Sequence, residues 1–309
     1  MTCRAGAAGL LAALALLSAG PAAAACAEGV IPGPPVLQRE SVYNSIFVHR
    51  AGDCASLTFR RHAGAYLESL SDLSDPRALP LAYTQAMTVA FAYPAALNEV
   101  AEIGVGAGTL FVYAALHLPK ARLTGVELDG AVVKLAREYF GARKYETARA
   151  ALAEKDGRLF LRATDRRYDV IFLDAFRGGY IPDHLTTRQF YALAQSRLRP
   201  GGVLVANLHY GTKFFESSIA TLRDVFARVD LYWAGGNVIA VAGDSMPAGE
   251  ELAARAAARQ NAFAFRYPLS DQLKRAFAYA PPADAPVLTD DFAPANQLEA
   301  IASANKRRP

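Results

Sequence analysis

The sequence has little of what metal-dependent and nucleophilic chemistry usually requires. It contains 3 cysteines and 5 histidines in 309 residues, and no HExxH motif, CxxC motif or Ser-His-Asp arrangement is visible in it. Metal-dependent hydrolysis and acyl transfer therefore have no support, and we predict no metal site.

An excess of one charge is also missing. The 33 Lys and Arg residues are nearly balanced by 29 Asp and Glu residues, which leaves a net charge of +4. The basic residues are scattered, apart from a run at 306–308 that we interpret as a solvated tail. This distribution does not favour nucleic acid as a partner.

What the chain does contain is an ordinary globular composition. Hydrophobic residues make up 52% of it and charged residues 20%. At this length the chain can bury a sizeable core, in one large domain or in one domain with a small appendage.

The N-terminus is predicted to direct export. Arg4 precedes an uncharged run of small and apolar residues, which offers Ala-x-Ala cleavage sites around Ala25 and Ala27. This pattern is typical of a secretory signal peptide, so we exclude residues 1–25 from the fold. Two alternatives stay open: the run is long enough for a membrane anchor, and a misassigned start would leave the protein in the cytoplasm.

Cleavage after residue 25 would leave Cys26 and Cys54. An oxidising compartment would allow these two residues to form a disulfide. The alternative is that Cys26 is lost, lipidated or free, and that Cys54 is a small hydrophobic residue in a strand.

The segment from 26 to 79 is predicted to be a linker followed by a small β element. Two β-rich runs flank the turn residues Ala51, Gly52 and Asp53, which favours a hairpin at about 41–62. A helical pattern follows from Pro80 to Ala92.

Apolar strands then alternate with amphipathic helices. The predicted strands lie at 98–104, 122–128, 168–174 and 202–208, and the helices at about 108–118, 130–140, 186–198 and 214–227. Continuous apolar runs indicate parallel strands that are buried on both faces. The last two strands flank Gly235 and Gly236, a link too short for a crossover helix, so they must form an antiparallel hairpin.

This order predicts an α/β protein with a class I methyltransferase-like Rossmann fold: a mostly parallel sheet that ends in an antiparallel hairpin, plus the small N-terminal β-hairpin element. Residues 80–248 would form the nucleoside-binding domain, and residues 249–309 a helical and Pro-rich extension.

A glycine loop follows the first predicted strand of the alternation. Gly104, Gly106 and Gly108 would let the backbone approach a ligand closely, although such glycines also occur in simple turns. The next strand ends at Glu127, about twenty residues on, where a carboxylate can accept both hydroxyls of a ribose. Because the Walker lysine and the dinucleotide spacing are absent, we expect a nucleoside without a phosphate chain.

Asp156 and Gly157 precede a short helical stretch. A carboxylate there could accept the amino group of an adenine. The alternative is an Asp-Gly turn or a helix cap.

Taken together, these segments resemble the spermidine synthases, the polyamine aminopropyltransferases, and especially their bacterial spermidine-synthase-like branch. The resemblance covers roughly residues 40–245. It rests on the order and spacing of AYTQAMT, the glycine loop, GVELD, DGRLFL, YDVIFLDAF, IPDHLTTRQFY and LRPGGVLVANL.

The resemblance implies attack of an amine nitrogen on the aminopropyl carbon of decarboxylated S-adenosylmethionine. The family's base is the aspartate that ends the fourth strand of the family's sheet, and the matching residue is Asp174, at the end of the predicted strand 168–174. A base is needed because an alkylammonium has a pKa of about 10. The resemblance further implies a small-molecule amine acceptor and suggests a homodimer or larger assembly.

Departures from the family pattern cluster on the amine half of the site, whereas the adenosine half is kept. In the family's Tyr-His-Glu-Met motif, Tyr83 is matched but Thr84 replaces histidine and Gln85 replaces glutamate. Ala107 replaces the glycine-loop aspartate that contacts the donor's amino end in the family, and Arg177 replaces a second acid of the acceptor site. An amine about 4 Å from Arg177 would be repelled by roughly 1 to 4 kcal/mol. Tyr83, Gln85 and Arg177 are thus the predicted acceptor residues. Glu68, Asp183 and the pair 290–291 are further acids that could serve an amine.

Two other functions stay open. The run from Glu102 to Gly108 is equally the loop of an S-adenosylmethionine-dependent methyltransferase. A non-catalytic exported protein that binds a nucleoside or polyamine is the third possibility.

Overall fold

The fold is given by a computed structural model that describes residues 26, 28, 31, 33–61, 64–176, 181–211 and 213–293. The predicted signal peptide and Arg177 lie outside the described residues. Among the helices of these ranges, none combines the length and the apolar character that a bilayer crossing requires.

An antiparallel sheet of four strands forms the N-terminal part. Its strands, in spatial order, are β1 (Pro35–Glu40), β2 (Ser45–Ala51), β3 (Cys54–Arg61) and β4 (Gly64–Asp72). The predicted hairpin corresponds to β2 and β3, and the sheet extends it by one strand on each side. Ile46, Val48 and Leu57 are buried and pack with Ala107 of the glycine loop, so one face of the sheet covers that loop.

The Cys26–Cys54 pair is a disulfide with its Cα atoms 5.3 Å apart. Of the two arrangements left open by the sequence, the structure contains the paired one. The bond attaches the segment that precedes β1 to the first residue of β3.

The central sheet has eight strands in the order β12-β10-β11-β9-β8-β5-β6-β7. These are β5 (Glu99–Ile103), β6 (Arg122–Glu127), β7 (Ala150–Glu154), β8 (Tyr168–Leu173), β9 (Leu198–His209), β10 (Arg228–Ala234), β11 (Asn237–Gly243) and β12 (Ala276–Phe277). Strands β5 to β9 are parallel to one another, whereas β10, β11 and β12 pair antiparallel. The α/β fold with a mostly parallel sheet and a terminal hairpin is therefore confirmed.

Helices cover both faces of this sheet. They are α1 (Ala82–Met87), α2 (Thr109–His117), α3 (Gly130–Glu138), α4 (Gly157–Ala163), α5 (Arg188–Ser196), α6 (Lys213–Val225), α7 (Gly249–Phe263) and α8 (Leu269–Leu273), and α1 continues into a 3₁₀ turn, Thr88–Ala92. Strand β8 is buried along its whole length, with Val170 and Phe172 in one core and Ile171 and Leu173 in the other. This two-sided burial explains the unbroken apolar run in the sequence.

The direction in which the sheet grows reverses at β5. The chain adds β6 and β7 on one side of β5 and then returns to add β8 and β9 on the other. In open α/β sheets, ligands bind at the carboxyl ends of the strands where such a reversal opens a crevice. The crevice here lies between the ends of β5 and β8.

Candidate active site

A cavity occupies the crevice at the carboxyl ends of β5, β6 and β8. Among its lining residues are most of the predicted site residues: Tyr83, Gly104, Gly106, Glu127, Asp156, Gly157 and Asp174. Residues from five separate segments were predicted to form one site, and the fold places all five segments around this cavity.

The glycine loop packs directly on the end of β8. Gly104 has φ +84°, and a Cβ atom built on it would lie 2.4 Å from the backbone oxygen of Asp174. The Asp174 amide in turn donates a hydrogen bond of 2.8 Å to the carbonyl of Ile103. Glycine at 104 is therefore required both by backbone conformation and by the close approach of the two strand ends.

Glu127 holds the same loop from the other side. Its Oε2 accepts hydrogen bonds from the amides of Val105 at 3.0 Å and Gly106 at 3.3 Å, and its Oε1 accepts one from Asp129 at 3.1 Å. Burial raises the pKa of this carboxyl, and the three amide hydrogen bonds oppose that rise. Glu127 lines the cavity as predicted, and it also fixes the shape of the loop.

Asp156 has a structural role as well as a place in the cavity. Its Oδ1 caps α4 by accepting a 2.8 Å hydrogen bond from the Leu159 amide, and its Oδ2 lies 2.8 Å from Nε2 of His184. Helix capping and ligand contact were alternatives at the level of sequence. The structure shows the cap and leaves the carboxylate on the wall of the cavity.

Asp174 follows β8, is half-buried and lies beside two polar side chains. Nδ2 of Asn207 donates a 2.8 Å hydrogen bond to its Oδ1, and the Tyr83 hydroxyl is a second partner. Burial raises the pKa of Asp174 to about 7, while both hydrogen bonds act in the opposite direction. A carboxylate with a pKa near neutrality is suited to accept a proton from a substrate.

Asn207 is itself held by Asn237. Nδ2 of Asn237 on β11 donates a 2.8 Å hydrogen bond to Oδ1 of Asn207 on β9. The resulting chain of contacts runs from the antiparallel hairpin to the carboxylate of Asp174. No local pattern in the sequence points to either asparagine, because their contact depends on how β11 pairs with β9.

A second cavity, of about 270 Å³, adjoins the first. It shares Glu68, Tyr83 and Phe176 with the first cavity and is otherwise lined by Glu28, Tyr66, Leu67, Leu81, Asn207, His209 and Asn237. Asp174 contacts both Tyr83 and Asn207, so its carboxylate lies at the junction of the two spaces. Two carboxylates in the lining, Glu28 and Glu68, make this cavity suitable for a cationic group.

Some predicted site residues lie elsewhere. Nε2 of Gln85 donates a 2.7 Å hydrogen bond to the carbonyl of Leu79, and Gln85 is absent from the lining of both cavities. Gly108 starts α2 and borders a different cavity, behind the loop. Asp290 accepts hydrogen bonds from Arg158 and Thr187 and lines neither cavity. Arg177 lies outside the described residues.

Thr84 and Ala107, two departures from the family pattern, are buried. The Thr84 hydroxyl donates a 2.7 Å hydrogen bond to the carbonyl of Leu81, and the amide of Ala107 donates one of 3.1 Å to Ser69. Within the described part of the chain, no group of three or more His, Cys, Asp or Glu residues is arranged to hold a metal ion.

Comparison with known proteins identifies sequence relatives of this chain. Residues 84–235 match the spermine/spermidine synthase domain family. A polyamine aminopropyltransferase from Vibrio vulnificus is 28% identical over 277 residues, which cover 85% of this chain and 90% of that protein.

Solved structures of spermidine synthases are similar to this chain. A probable spermidine synthase from Corynebacterium glutamicum superposes with a TM-score of 0.62 at 25% identity, covering 73% of this chain and 87% of that one. Spermidine synthase from Thermotoga maritima gives a TM-score of 0.61 at 18% identity, covering 79% and 84% of the two chains. At 18% identity the likeness concerns the fold alone.

Proposed function

The chain carries a spermine/spermidine synthase domain at residues 84–235, and from this premise we propose that it transfers an aminopropyl group from decarboxylated S-adenosylmethionine to a small amine. The resemblance inferred from the sequence is confirmed by that domain match. The relatives do not favour a methyltransferase or a non-catalytic binding protein.

The position of Asp174 is the observation that carries this proposal. Its carboxylate lines the first cavity, here called the nucleoside cavity, and contacts Tyr83 and Asn207 of the second, here called the acid-lined cavity. Burial raises its pKa to about 7. A base at this junction would reach the nitrogen of an amine that approaches a donor held by the glycine loop.

The chemical step is a displacement at carbon. The amine nitrogen forms a bond to the methylene carbon next to the sulfonium, and the carbon–sulfur bond breaks with its electron pair going to sulfur. Methylthioadenosine leaves as a neutral thioether. Asp174 takes the proton that the nitrogen loses. The positively charged sulfur of the donor already makes the adjacent carbon electrophilic, so no further activation of the donor is needed.

The two cavities divide the substrates by chemistry. Glu127 and the glycine loop suit a ribose without phosphates, since no lysine or arginine borders the described lining of the first cavity. Glu28 and Glu68 suit a protonated amine in the second. The acceptor is therefore a small molecule with at least one ammonium group.

The decisive experiment incubates the purified protein with decarboxylated S-adenosylmethionine and a panel of diamines and triamines, and measures methylthioadenosine. The Asp174→Asn variant should lose at least 100-fold in turnover while methylthioadenosine binds as before. Asp165→Asn, on the exposed surface, is the matched control and should keep full activity. Release of S-adenosylhomocysteine from S-adenosylmethionine, with no methylthioadenosine formed in the presence of any amine, would instead indicate a methyltransferase. Binding without any product would indicate a non-catalytic protein.

We further propose that the protein is exported. The N-terminal run of small residues supports this, and so does the Cys26–Cys54 disulfide, because such bonds persist mainly in oxidising compartments. Cell fractionation followed by mass determination of the mature chain tests the proposal. An uncleaved protein in the cytoplasm would contradict it, and an uncleaved protein in the membrane fraction would identify the anchor.

A further inference from the structure

A third carboxylate, Glu102, lies behind the active site and has no role in the steps above. It is the fourth residue of β5 and is only 6% exposed. Its register partners are Gly125 on β6 and Phe172 on β8, so it is surrounded by strands on both sides. Charged residues are almost never buried to this extent unless they are paired.

Glu102 lacks such a partner. Within the described ranges, no side chain or amide donates a hydrogen bond to its carboxylate and no lysine, arginine or histidine forms an ion pair with it. Its charged neighbours are the carboxylates of Asp174 and Glu127. Burial, and after it these two negative charges, raise the pKa of Glu102 well above its usual range.

The Glu102 side chain lines a small cavity. Its volume is about 20 Å³, room for a group the size of a water molecule. Ser69, Tyr83, Val105 and Asp174 line both this cavity and the nucleoside cavity, so the small cavity is a continuation of the latter.

We infer that Glu102 binds the terminal ammonium of the donor's aminopropyl chain in this cavity. The inference rests on the proposed function and specifies how the donor is selected. An ammonium has the size of a water molecule, and it supplies the positive charge and the hydrogen-bond donors that Glu102 lacks. Ala107 gives the glycine loop no acid for this purpose, and the acid comes instead from β5.

The same contact explains discrimination between two related donors. S-adenosylmethionine carries a carboxylate on the carbon that bears the amino group, and decarboxylation removes it. In the small cavity that carboxylate would lie against Glu102 and Asp174, two groups of like charge. Glu102 is thus a specificity-determining residue for the decarboxylated donor.

Isothermal titration calorimetry on the Glu102→Gln variant tests this assignment. We expect the Kd of decarboxylated S-adenosylmethionine to rise at least tenfold, because the amide keeps the shape but removes the charge. The Kd of methylthioadenosine, which has no ammonium, should stay within twofold. The preference for the decarboxylated donor over S-adenosylmethionine should fall at least tenfold.

The control is Glu99→Gln, the same substitution on the same strand at a residue that contacts Arg122 instead. It should leave all three dissociation constants within twofold. Equal weakening of decarboxylated donor and methylthioadenosine by Glu102→Gln would overturn the inference, and so would no weakening of either. Failure of the wild-type protein to bind any of the three ligands would count against the proposed function itself.

A crystal structure of the wild-type protein with decarboxylated S-adenosylmethionine provides a second test that needs no variant. The ammonium nitrogen should lie within hydrogen-bonding distance of the Glu102 carboxylate. An ordered water only in the small cavity, with the ammonium elsewhere, would overturn the assignment even if Glu102→Gln fails to fold.

Discussion

The two halves of the site are built in different ways. The donor half consists of a glycine loop, Glu127 and the end of β8. The Glu127 carboxylate binds two loop amides, and a backbone hydrogen bond joins the end of β8 to β5. The acceptor half is lined by side chains from the N-terminal sheet, α1, β9 and β11. The donor half is therefore fixed by the fold, whereas the acceptor half depends on which side chains separate elements present.

This difference agrees with the pattern of substitutions. The sequence keeps the glycines and Glu127, where backbone geometry leaves little freedom, and most of its departures from the family, at Thr84, Gln85 and Arg177, fall in segments that the resemblance assigns to the acceptor. Ala107 in the glycine loop is the exception. A half that is made of side chains can change its ligand without disturbing the sheet.

The largest effect is expected from Gly104→Ala, which should damage both halves at once. The added Cβ would lie 2.4 Å from the backbone oxygen of Asp174. Relief requires the loop and the end of β8 to separate, so methylthioadenosine binding should fall more than 100-fold and turnover should be lost. Calorimetry and the methylthioadenosine assay measure the two losses.

Gly141→Ala is the matched control for that prediction. Gly141 has a similar φ, +77°, but nothing lies within 4 Å of its added Cβ. The Gly141→Ala variant therefore has the backbone strain, about 1 kcal/mol, but its Cβ atom does not clash with any neighbouring atom. Equal loss of binding in both variants would show that strain, and not the close approach of loop and strand, is responsible.

A pair of variants should separate the halves. Glu127→Gln should weaken methylthioadenosine binding roughly tenfold to 100-fold, because a charged acceptor of ribose and amide hydrogen bonds is lost, while the KM of the amine changes little. Glu68→Gln should do the opposite, with the KM of the amine rising roughly tenfold. If each variant impaired both ligands equally, the division into two halves would be wrong.

The smallest effect concerns the pH dependence of the base. Asp174 acts only when ionised, so kcat/KM should fall about tenfold per pH unit below its pKa of about 7. Asn207→Ala removes a hydrogen bond that lowers this pKa, and should move the acid limb to higher pH by less than about one unit.

Asn98→Ala, at an exposed residue, is the control and should leave the limb in place. A limb that does not move in Asn207→Ala would mean that Asn207 does not tune the base.

The donor half could be predicted well from the sequence, because its residues occur in short local patterns at the ends of predicted strands. Gly104, Gly106 and Glu127 stand at strand ends, and a strand end fixes where its last side chain lies in a parallel sheet. β7 was missed, since its alanine-rich edge segment has none of the β-branched residues that mark a buried strand.

The acceptor half was harder to predict for a physical reason. Asn207 and Asn237 lie in apolar runs, and only the antiparallel register of β9 and β11 brings them together. Gln85 was assigned from a motif, but its side chain binds the Leu79 carbonyl 2.7 Å away. The motif predicted that Gln85 lies on this helix, but it could not predict the direction in which the side-chain amide points. The role of Arg177 at the acceptor and the formation of a homodimer stay predictions.

The hydrogen bonds from Asn237 through Asn207 to Asp174 have a consequence for the order of folding. Asn237 reaches Asn207 because Ile239 is the residue directly opposite Asn207. A slip of one residue would turn Asn237 to the other face of the sheet. Because β11 is made after all five parallel strands, the base is oriented only once this late strand has paired in register. The described lining of the first cavity includes no residue from β11, so a shift of this register would misplace the base and leave the residues that line the donor's cavity unchanged.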